Sequence, residues 1–548
     1  MPSFIIRPVF GGWCNGLVPR KRIIEPKFNK EAHMALSDFT YYRIINRNAA
    51  LYGNKPAWHE AENGRSASFL DIREMTDRLA SGIRAAGIGR GDRIGVVGKN
   101  SLEFFLLYGA AAALGAVMLP INWRLSADEI RFNLDDAQAK IVFADQEFEK
   151  TLDEIKDGLP TVEHYCSLSD HGTVLPPFSS LSTPAADFEP EDIPADSDFV
   201  IIHTAAVAGR PRGAMLSHAN IVVSSLELIR AMALSDDDIH LNLLPLFHVG
   251  GLFMTISSFH AGASCLNMAK FDAAAAVDLI SGKNASVLFD FAPILGAILD
   301  QSQKSGKNIS ALQKVIGLDS PETITRYQDS TGGTFYSFFG QTETSCLTTV
   351  SRYNDRPGSA GRPVLAAEVR LVDDDDRPVG DGETGEIVVR GPLVFKGYIN
   401  LPQDTAQTFR NDWHHTGDLG RFDRDGFLFY MGRKPDKELI KPGGENVYPA
   451  EVENAILLHP AIARTVVFGV PDPKWKEGIK AVCELKDGYR LTARELIEFV
   501  GDKIARYKKP QYVEFVDAMP LLKNGAPDRK QVKLLFSSPD APPDQQSR

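Results

Sequence analysis

Apolar residues along this chain recur in two alternating rhythms. Between Phe69 and Gly87 the positions Leu70, Ile72, Met75, Leu79 and Ile83 keep a helical spacing, and Gly89-Arg90-Gly91-Asp92-Arg93 then turns into the short apolar run Ile94-Gly95-Val96-Val97. The alternation continues with a helix from Leu102 to Leu114, a strand from Ala116 to Pro120, a helix from Ser126 to Asp136 and a strand from Ala139 to Ala144. Strands separated by helices predict a largely parallel sheet covered on both faces. Residues 170 to 197 break the rhythm with prolines, serines and acids, a surface linker that feeds the apolar run Phe199 to Ile202. A second series of the same kind runs from Asn220 to about Asp319. The aromatic strand Phe335 to Phe339 then delivers Gly340-Gln341-Thr342-Glu343-Thr344, a polar cluster at a strand's carboxyl end, where open α/β sheets bind ligands.

From Gly358 the texture changes to short strands with turn signals: Glu368 to Val372, the acidic turn Asp373 to Asp376, Gly385 to Arg390, and Gly417 to Tyr430 with its Asp425-Gly426 hairpin. The charged, proline-broken segment Lys434-Pro435-Asp436-Lys437-Glu438 reads as a hinge, and Pro449 to about Phe536 has a helix and strand set of its own. The expected fold is α/β: a large N-terminal domain of two doubly wound, mostly parallel sheets plus a β-rich subdomain, followed by a small α+β C-terminal domain. The boundaries read as an extension over 1–33, a large domain over 34–433 with its β-rich part at about 358–433, a hinge at 434–438, a small domain over 439–536 and a flexible tail over 537–548. The first helix is expected to enter near Ser37 or Asp38 as its cap.

Length and charge narrow the function classes. A chain of 548 residues is too long for one ordinary core. With 60 basic against 71 acidic residues it lacks the concentrated positive field that a nucleic-acid or anionic-membrane binder needs. Five scattered cysteines without CxxC pairing fit a reducing cytoplasm and no zinc site. Arg7 interrupts the N-terminal apolar residues, so no signal peptide is expected, and the apolar stretch Phe104 to Pro120, rich in alanine and glycine, reads as a buried helix running into a strand rather than a membrane span.

The stretch His203 to His218 holds candidate chemistry. Gly209 and Gly213, four apart with Pro211 between them, give a sharply turning backbone whose N–H groups could approach an anion. The hydroxyls and lysine that such a loop would offer a triphosphate are replaced by Ala205, Ala206, Val207 and Ala208, with Arg210 and Arg212 the nearby cations. Read alone, the stretch fits either a phosphate loop or a plain connection.

Taken together, the passages at 203–218, 338–343, 385–400, 416–418, 432–453 and 507–530 resemble, in order and spacing, the adenylate-forming superfamily of acyl-CoA synthetases, peptide-synthetase adenylation domains and luciferases. The segments Ile121-Asn122-Trp123-Arg124-Leu125 and Glu445-Asn446-Val447-Tyr448-Pro449 look most like the medium-chain or aromatic acyl-CoA synthetases. The resemblance implies a two-step ligase. A carboxylate first attacks the α-phosphorus of ATP, giving acyl-AMP and pyrophosphate, and the thiol of CoA then displaces AMP. It implies a Mg2+ ligand at Glu343, an α-phosphate contact at Thr342, and nucleotide contacts at Gly340, Gln341, Asp418 on the ribose and Arg433 beside it. Thr204, Gly209, Arg212 and Gly213 would form the phosphate loop. His248 would lie between adenylate and acyl pocket, Phe289 to Leu299 would line that pocket, and Lys441, Gly444 and Glu445 would present the face for thioester formation. The phenylalanines of that lining suggest a hydrophobic or cyclic carboxylic acid as the small-molecule substrate, with a homodimer left open.

Two departures stand out. The hinge region carries about two extra residues relative to the superfamily spacing, so its pivot is not assigned to Asp436 or a neighbour. Near the end, Pro520-Leu521-Leu522-Lys523-Asn524-Gly525-Ala526-Pro527-Asp528-Arg529-Lys530 puts Ala526 where the superfamily carries a lysine that bridges carboxylate and α-phosphate. Loss of one preorganised charge typically costs on the order of a hundred- to a thousandfold in rate. Lys523, three residues upstream, is the candidate replacement. Three readings follow: an acyl-CoA synthetase with a weakened adenylation half, a non-catalytic AMP or acyl-CoA binder, and an enzyme that performs only the transfer between acyl-AMP and CoA.

Overall fold

A computed structural model describes residues 39–182, 188–204, 211–434, 438–522 and 526–537. Its strands and helices follow the predicted alternation closely. The helix Leu102–Leu114 has both predicted ends, started by the Ser101 side chain, which accepts from the Phe104 amide, and stopped by Gly115 in the left-handed region at φ 65. Ser68 and Ser126 start the helices Phe69–Ala85 and Ala127–Asp136 through reciprocal capping boxes with Asp71 and Glu129. The first helix differs from expectation. It spans Tyr41–Tyr52 with Thr40 at the cap position, while Ser37 and Asp38 lie outside the described residues. The extension at 1–33, hinge residues 435–437, Gly209, Lys523 and tail residues 538–548 also lie outside them.

Among the described residues, seven strands form one sheet in the order Gly397–Tyr398, Arg212–Ser217, Asp198–Thr204, Val117–Ile121, Arg93–Val97, Ala139–Ala144, His164–Ser167. Its pairings are parallel except those of Arg212–Ser217 with its two neighbours. A nine-stranded sheet carries, side by side and parallel, Val287–Phe291, Lys314–Leu318 and Thr334–Phe339. The helices Leu102–Leu114 and Val249–Ala261 are apolar on every side, and one continuous core joins them to strand residues of both sheets, among them Val96, Ile141, Trp58 and Cys265. Burial on all faces, not a bilayer, accounts for that hydrophobicity. No helix among the described residues is long and apolar enough to cross a membrane.

The β-rich part forms a smaller antiparallel sheet whose strands Trp413–Phe422 and Leu428–Arg433 close a hairpin. Beyond it, Ile462–Asp472, Lys476–Leu485 and Tyr512–Val516 form a three-stranded sheet around its own apolar cluster, flanked by the helices Pro449–Leu457 and Ala493–Gly501. The carboxyl ends of Thr334–Phe339 and Val287–Phe291, the β-hairpin, and the segment preceding Pro449 all converge on one cleft. Described candidate residues from Gln341 to Tyr448 meet around it, Gln341 bonding Asp418 and Arg433 meeting Tyr448.

Candidate active site

The strand Thr334–Phe339 ends at Gly340, where a Cβ atom would lie 1.9 Å from the carbonyl oxygen of Cys346. Only glycine lets the chain fold back so closely. The Gln341 amide then donates to Thr344 Oγ1 at 2.9 Å, and the single 3-10 turn Thr342–Thr344 carries Glu343 inward to a buried position. Glu343 Oε1 accepts the Tyr398 hydroxyl at 2.8 Å. Tyr398 is held by pairing of Gly397–Tyr398 with Arg212–Ser217, and the Arg212 guanidinium lies over its ring, 4.3 Å from the centroid. Arg212 also reaches Asp404 at 3.6 Å, while its buried Nε has no hydrogen-bond partner among the described residues. Tyr398 thus joins the candidate phosphate loop to the candidate metal ligand, a link the sequence reading missed. Thr204 lies opposite Arg212 in the hairpin register, and its hydroxyl donates to the Arg212 carbonyl at 3.3 Å. Gly213 leaves room for Ile201 and Ile399, whose Cγ2 atoms would stand 2.8 and 2.7 Å from any added Cβ.

A second group faces this one. Gln341 donates to an Asp418 carboxylate oxygen and, at 3.1 Å, to the Thr416 carbonyl. Asp418 pairs with Arg433 at 3.0 Å across the hairpin, receives Tyr430 at 3.3 Å, and is fully enclosed. Burial raises its pKa above the usual aspartate range, against the opposing pull of Arg433 and Gln341. Its two oxygens already accept separately, one from Gln341 and the other from Tyr430. His414 and His415 diverge on the strand. The His414 ring packs edge-on against Phe395, whereas His415 meets Arg410 at 2.7 Å and Glu386 at 3.3 Å.

The apolar wall begins at His248, which caps the helix Val249–Ala261. Its Nδ1 accepts the Gly250 amide at 3.1 Å, so the neutral ring carries its proton on Nε2. Burial lowers its pKa first, and the charges of Arg124 and Lys441 push the same way against Glu445. Phe291 stands edge-on to His248, Phe289 stacks on Phe291 with centroids 5.2 Å apart, and Phe338 meets Phe289 edge-on. Alternation along Val287–Phe291 puts both phenylalanines on one face. These rings form one continuous series running from His248 into the core, with Phe289 and Phe338 buried and Phe291 partly buried.

From the small C-terminal unit, Arg433 Nη1 meets the Tyr448 hydroxyl at 3.3 Å, and Arg124 pairs with Glu445 at 2.5 Å while stacking on Trp123. Lys441 is set by its amide, which donates to Glu477 at 2.7 Å, and Gly444 closes the 3-10 turn Pro442–Gly444. Desolvation of its amine and then the Arg433 charge lower the Lys441 pKa, with Asp418 and Glu477 opposing, while the residue as a whole stays exposed. Ala526 lies in a tight loop, its carbonyl accepting the Leu522 amide at 2.8 Å, and the adjoining Arg529 bonds the Val467 carbonyl at 2.9 Å.

Among the described residues no group of three or more His, Cys, Asp or Glu could hold a metal ion by itself. Glu343 supplies one carboxylate. Magnesium is commonly bound through one or two carboxylates together with substrate phosphates and water, so this donor set fits an ion that arrives with a nucleotide.

Comparison with known proteins agrees with this geometry. Residues 45–399 match the model of the AMP-binding enzyme family, and residues 451–526 match that of the AMP-binding enzyme C-terminal domain. The chain is 33% identical over 502 residues to an indoleacetate–CoA ligase of Aromatoleum aromaticum, covering 90% of this chain and 97% of the relative. It is 32% identical over 482 residues to a feruloyl-CoA synthase of an Amycolatopsis species, covering 86% and 94%. The o-succinylbenzoate CoA synthetase of Bacillus subtilis, solved with a product analogue, superimposes with a TM-score of 0.80 at 25% identity, over 89% of this chain and 98% of that one. Built on the same two-part fold and the same succession of motifs, the chain belongs to the AMP-binding enzyme family of adenylate-forming enzymes, in its acyl-CoA ligase branch.

Proposed function

We propose that this enzyme joins an aromatic or other cyclic, hydrophobic carboxylic acid to coenzyme A, and that Glu343, Asp418, Arg433 and His248 are its central site residues. The observation that carries the reading is the stack of Phe289, Phe291 and Phe338 ending edge-on at His248. A planar acyl group would fill such a wall with its carboxylate toward the nucleotide. Relatives are named for indoleacetate, ferulate and succinylbenzoate and also for fatty acids, so the choice of an aryl acid rests on the rings and not on those names.

In the first step a substrate carboxylate oxygen bonds to the α-phosphorus of ATP while the bond to the β-phosphate oxygen breaks and pyrophosphate leaves. Asp418 holds the ribose hydroxyls, Arg433 neutralises Asp418, and Thr342 and Gln341 face the α-phosphate side. Glu343 would hold magnesium, which supplies charge neutralisation on the phosphates. In the second step the thiol sulfur of CoA bonds to the acyl carbon, its proton is released, and the bond to AMP breaks. The His248 Nε2–H would orient the acyl oxygen, and Lys441, Gly444 and Glu445 would line the approach of the thiol.

Ala526 favours a weakened first step, with Lys523 supplying the missing charge. Pyrophosphate exchange measured with ATP, magnesium and a panel of aryl and alkyl acids, beside thioester formation from preformed acyl-AMP, tests both points. The expected result is slow exchange with an aryl acid, abolished in Lys523→Ala while nucleotide binding by calorimetry is unchanged. Thioester formation from acyl-AMP without any exchange would instead select an enzyme of the transfer half alone. Preference for alkyl over aryl acids would overturn the substrate assignment.

A further inference from the structure

The loop and helix start from Arg124 to Glu129 touch the small C-terminal unit at two charged points. Arg124 meets Glu445, close to the cleft. Farther from the chemistry, Glu129 receives Lys508, with Nζ to Oε1 at 2.7 Å, and the Ala505 amide, at 3.0 Å from Oε2. The same Oε2 already accepts the Ser126 amide and hydroxyl at 2.8 and 2.9 Å, so the helix cap holds the carboxylate in place before the small unit arrives. On the other side Lys508 stands 3.3 Å from Glu451, at the start of the helix Pro449–Leu457, and its side chain is only 3% exposed. A lysine so enclosed needs both carboxylates, because a buried cation without partners is strongly unfavourable. Two partners of this network, Glu129 and Lys508, are 379 residues apart in the chain and meet across the two units in this arrangement.

A contact made in one arrangement and absent from another biases the equilibrium between them by its differential energy. We propose that Glu129 and Lys508 are positioning residues for thioester formation: their pair holds the small unit where Lys441 to Glu445 face the Asp418–Arg433 clamp. The inference rests on the functional reading above, in which that segment serves the second step. Rotation of the small unit for the first step would separate Lys508 from Glu129, so loss of the pair penalises the second step and spares the first.

Glu129→Gln keeps an oxygen for Ser126 and Ala505 but turns an amide NH2 toward Lys508, removing the charge and the acceptor together, and Lys508→Arg keeps the charge. Thioester formation from preformed acyl-AMP is expected to fall about tenfold in Glu129→Gln, with pyrophosphate exchange within about twofold of the parent and a recovered rate in Lys508→Arg relative to Lys508→Met. Amide hydrogen exchange supplies a readout independent of turnover. In Glu129→Gln the Ala505 amide is expected to exchange faster, while the Val466 to Val470 amides of the small sheet keep their protection. A parallel fall of both half-reactions with lower thermal stability would make the pair merely structural and overturn the proposal, as would unchanged transfer and unchanged Ala505 exchange. If the parent catalyses neither half-reaction the functional reading fails, and the exchange pattern at Ala505 then decides the latch alone.

Discussion

At the residue scale the site economises on charge. Asp418 is enclosed and yet is offered as an ionised acceptor, and Arg433 at 3.0 Å is what opposes the upward push of burial on its pKa. Removing that guanidinium leaves burial unopposed by its strongest partner. In Arg433→Met the Asp418 pKa is therefore expected to rise further, so AMP affinity should begin to weaken at a higher pH than in the parent as pH falls. Calorimetric titration with AMP at several pH values checks this, and a pH-independent loss would show that Arg433 acts on the nucleotide directly rather than through Asp418. Glu343, Asp418, Arg433 and His248 are singled out by the sequence because they sit in short local motifs. Tyr398 was not singled out. Its partner Glu343 lies 55 residues upstream, and nothing about a tyrosine after a glycine tells which carboxylate it will meet once two sheets have assembled.

At the scale of elements, local rules carried far. Capping serines, glycine stops and the helical or alternating spacing of apolar residues located the elements around Leu102–Leu114 and Ala139–Ala144 with their ends. Where polar residues are buried by later contacts the reading fell short: the strand expected from Gly417 begins at Trp413, because His414 and His415 are drawn inside by Phe395 and Arg410 rather than by any pattern of their own. The turn after Thr334–Phe339 is the most constrained of these elements. In Gly340→Ala the methyl group has only the Cys346 carbonyl to displace, so the turn must open. Destabilisation of about 1–3 kcal/mol is expected together with loss of pyrophosphate exchange; denaturant unfolding beside the exchange assay separates the two, and a parent-like Gly340→Ala would refute the close-packing account.

At the scale of the molecule, Lys434 is where the β-rich part hands over to the hinge. Its Nζ lies 3.2 Å from Glu386 and 2.9 Å from Asp374, and the Lys434 amide donates to the Gly417 carbonyl at 2.9 Å. Burial works to raise the Glu386 pKa, but His415 and Lys434 hold it down to about 2 from 4.5. A carboxylate depressed on folding stabilises the folded state above its unfolded pKa and loses that contribution as pH drops through its folded one. The acid limb of the stability curve between 4.5 and about 2 should therefore be shallower in Glu386→Gln than in the parent, as followed by thermal unfolding across pH. An unchanged limb would remove Glu386 from the acid response. The two-part architecture itself was legible from the change of texture at Gly358 and the charged break after Arg433, whereas the pairing of distant charges such as Glu129 with Lys508 arises only from docking and leaves no local trace.

The hairpin that flanks the candidate phosphate loop determines where substitution can displace Arg212. Thr204 faces Arg212, and beyond it Ala214 faces Tyr398, so the position of Arg212 against the Tyr398 ring is set by strand register. A slip of one residue would turn Arg212 to the opposite face. Strand positions such as Thr204 and Ala214, which hold that register, are therefore where a change reaches the Tyr398 hydroxyl and, through it, Glu343.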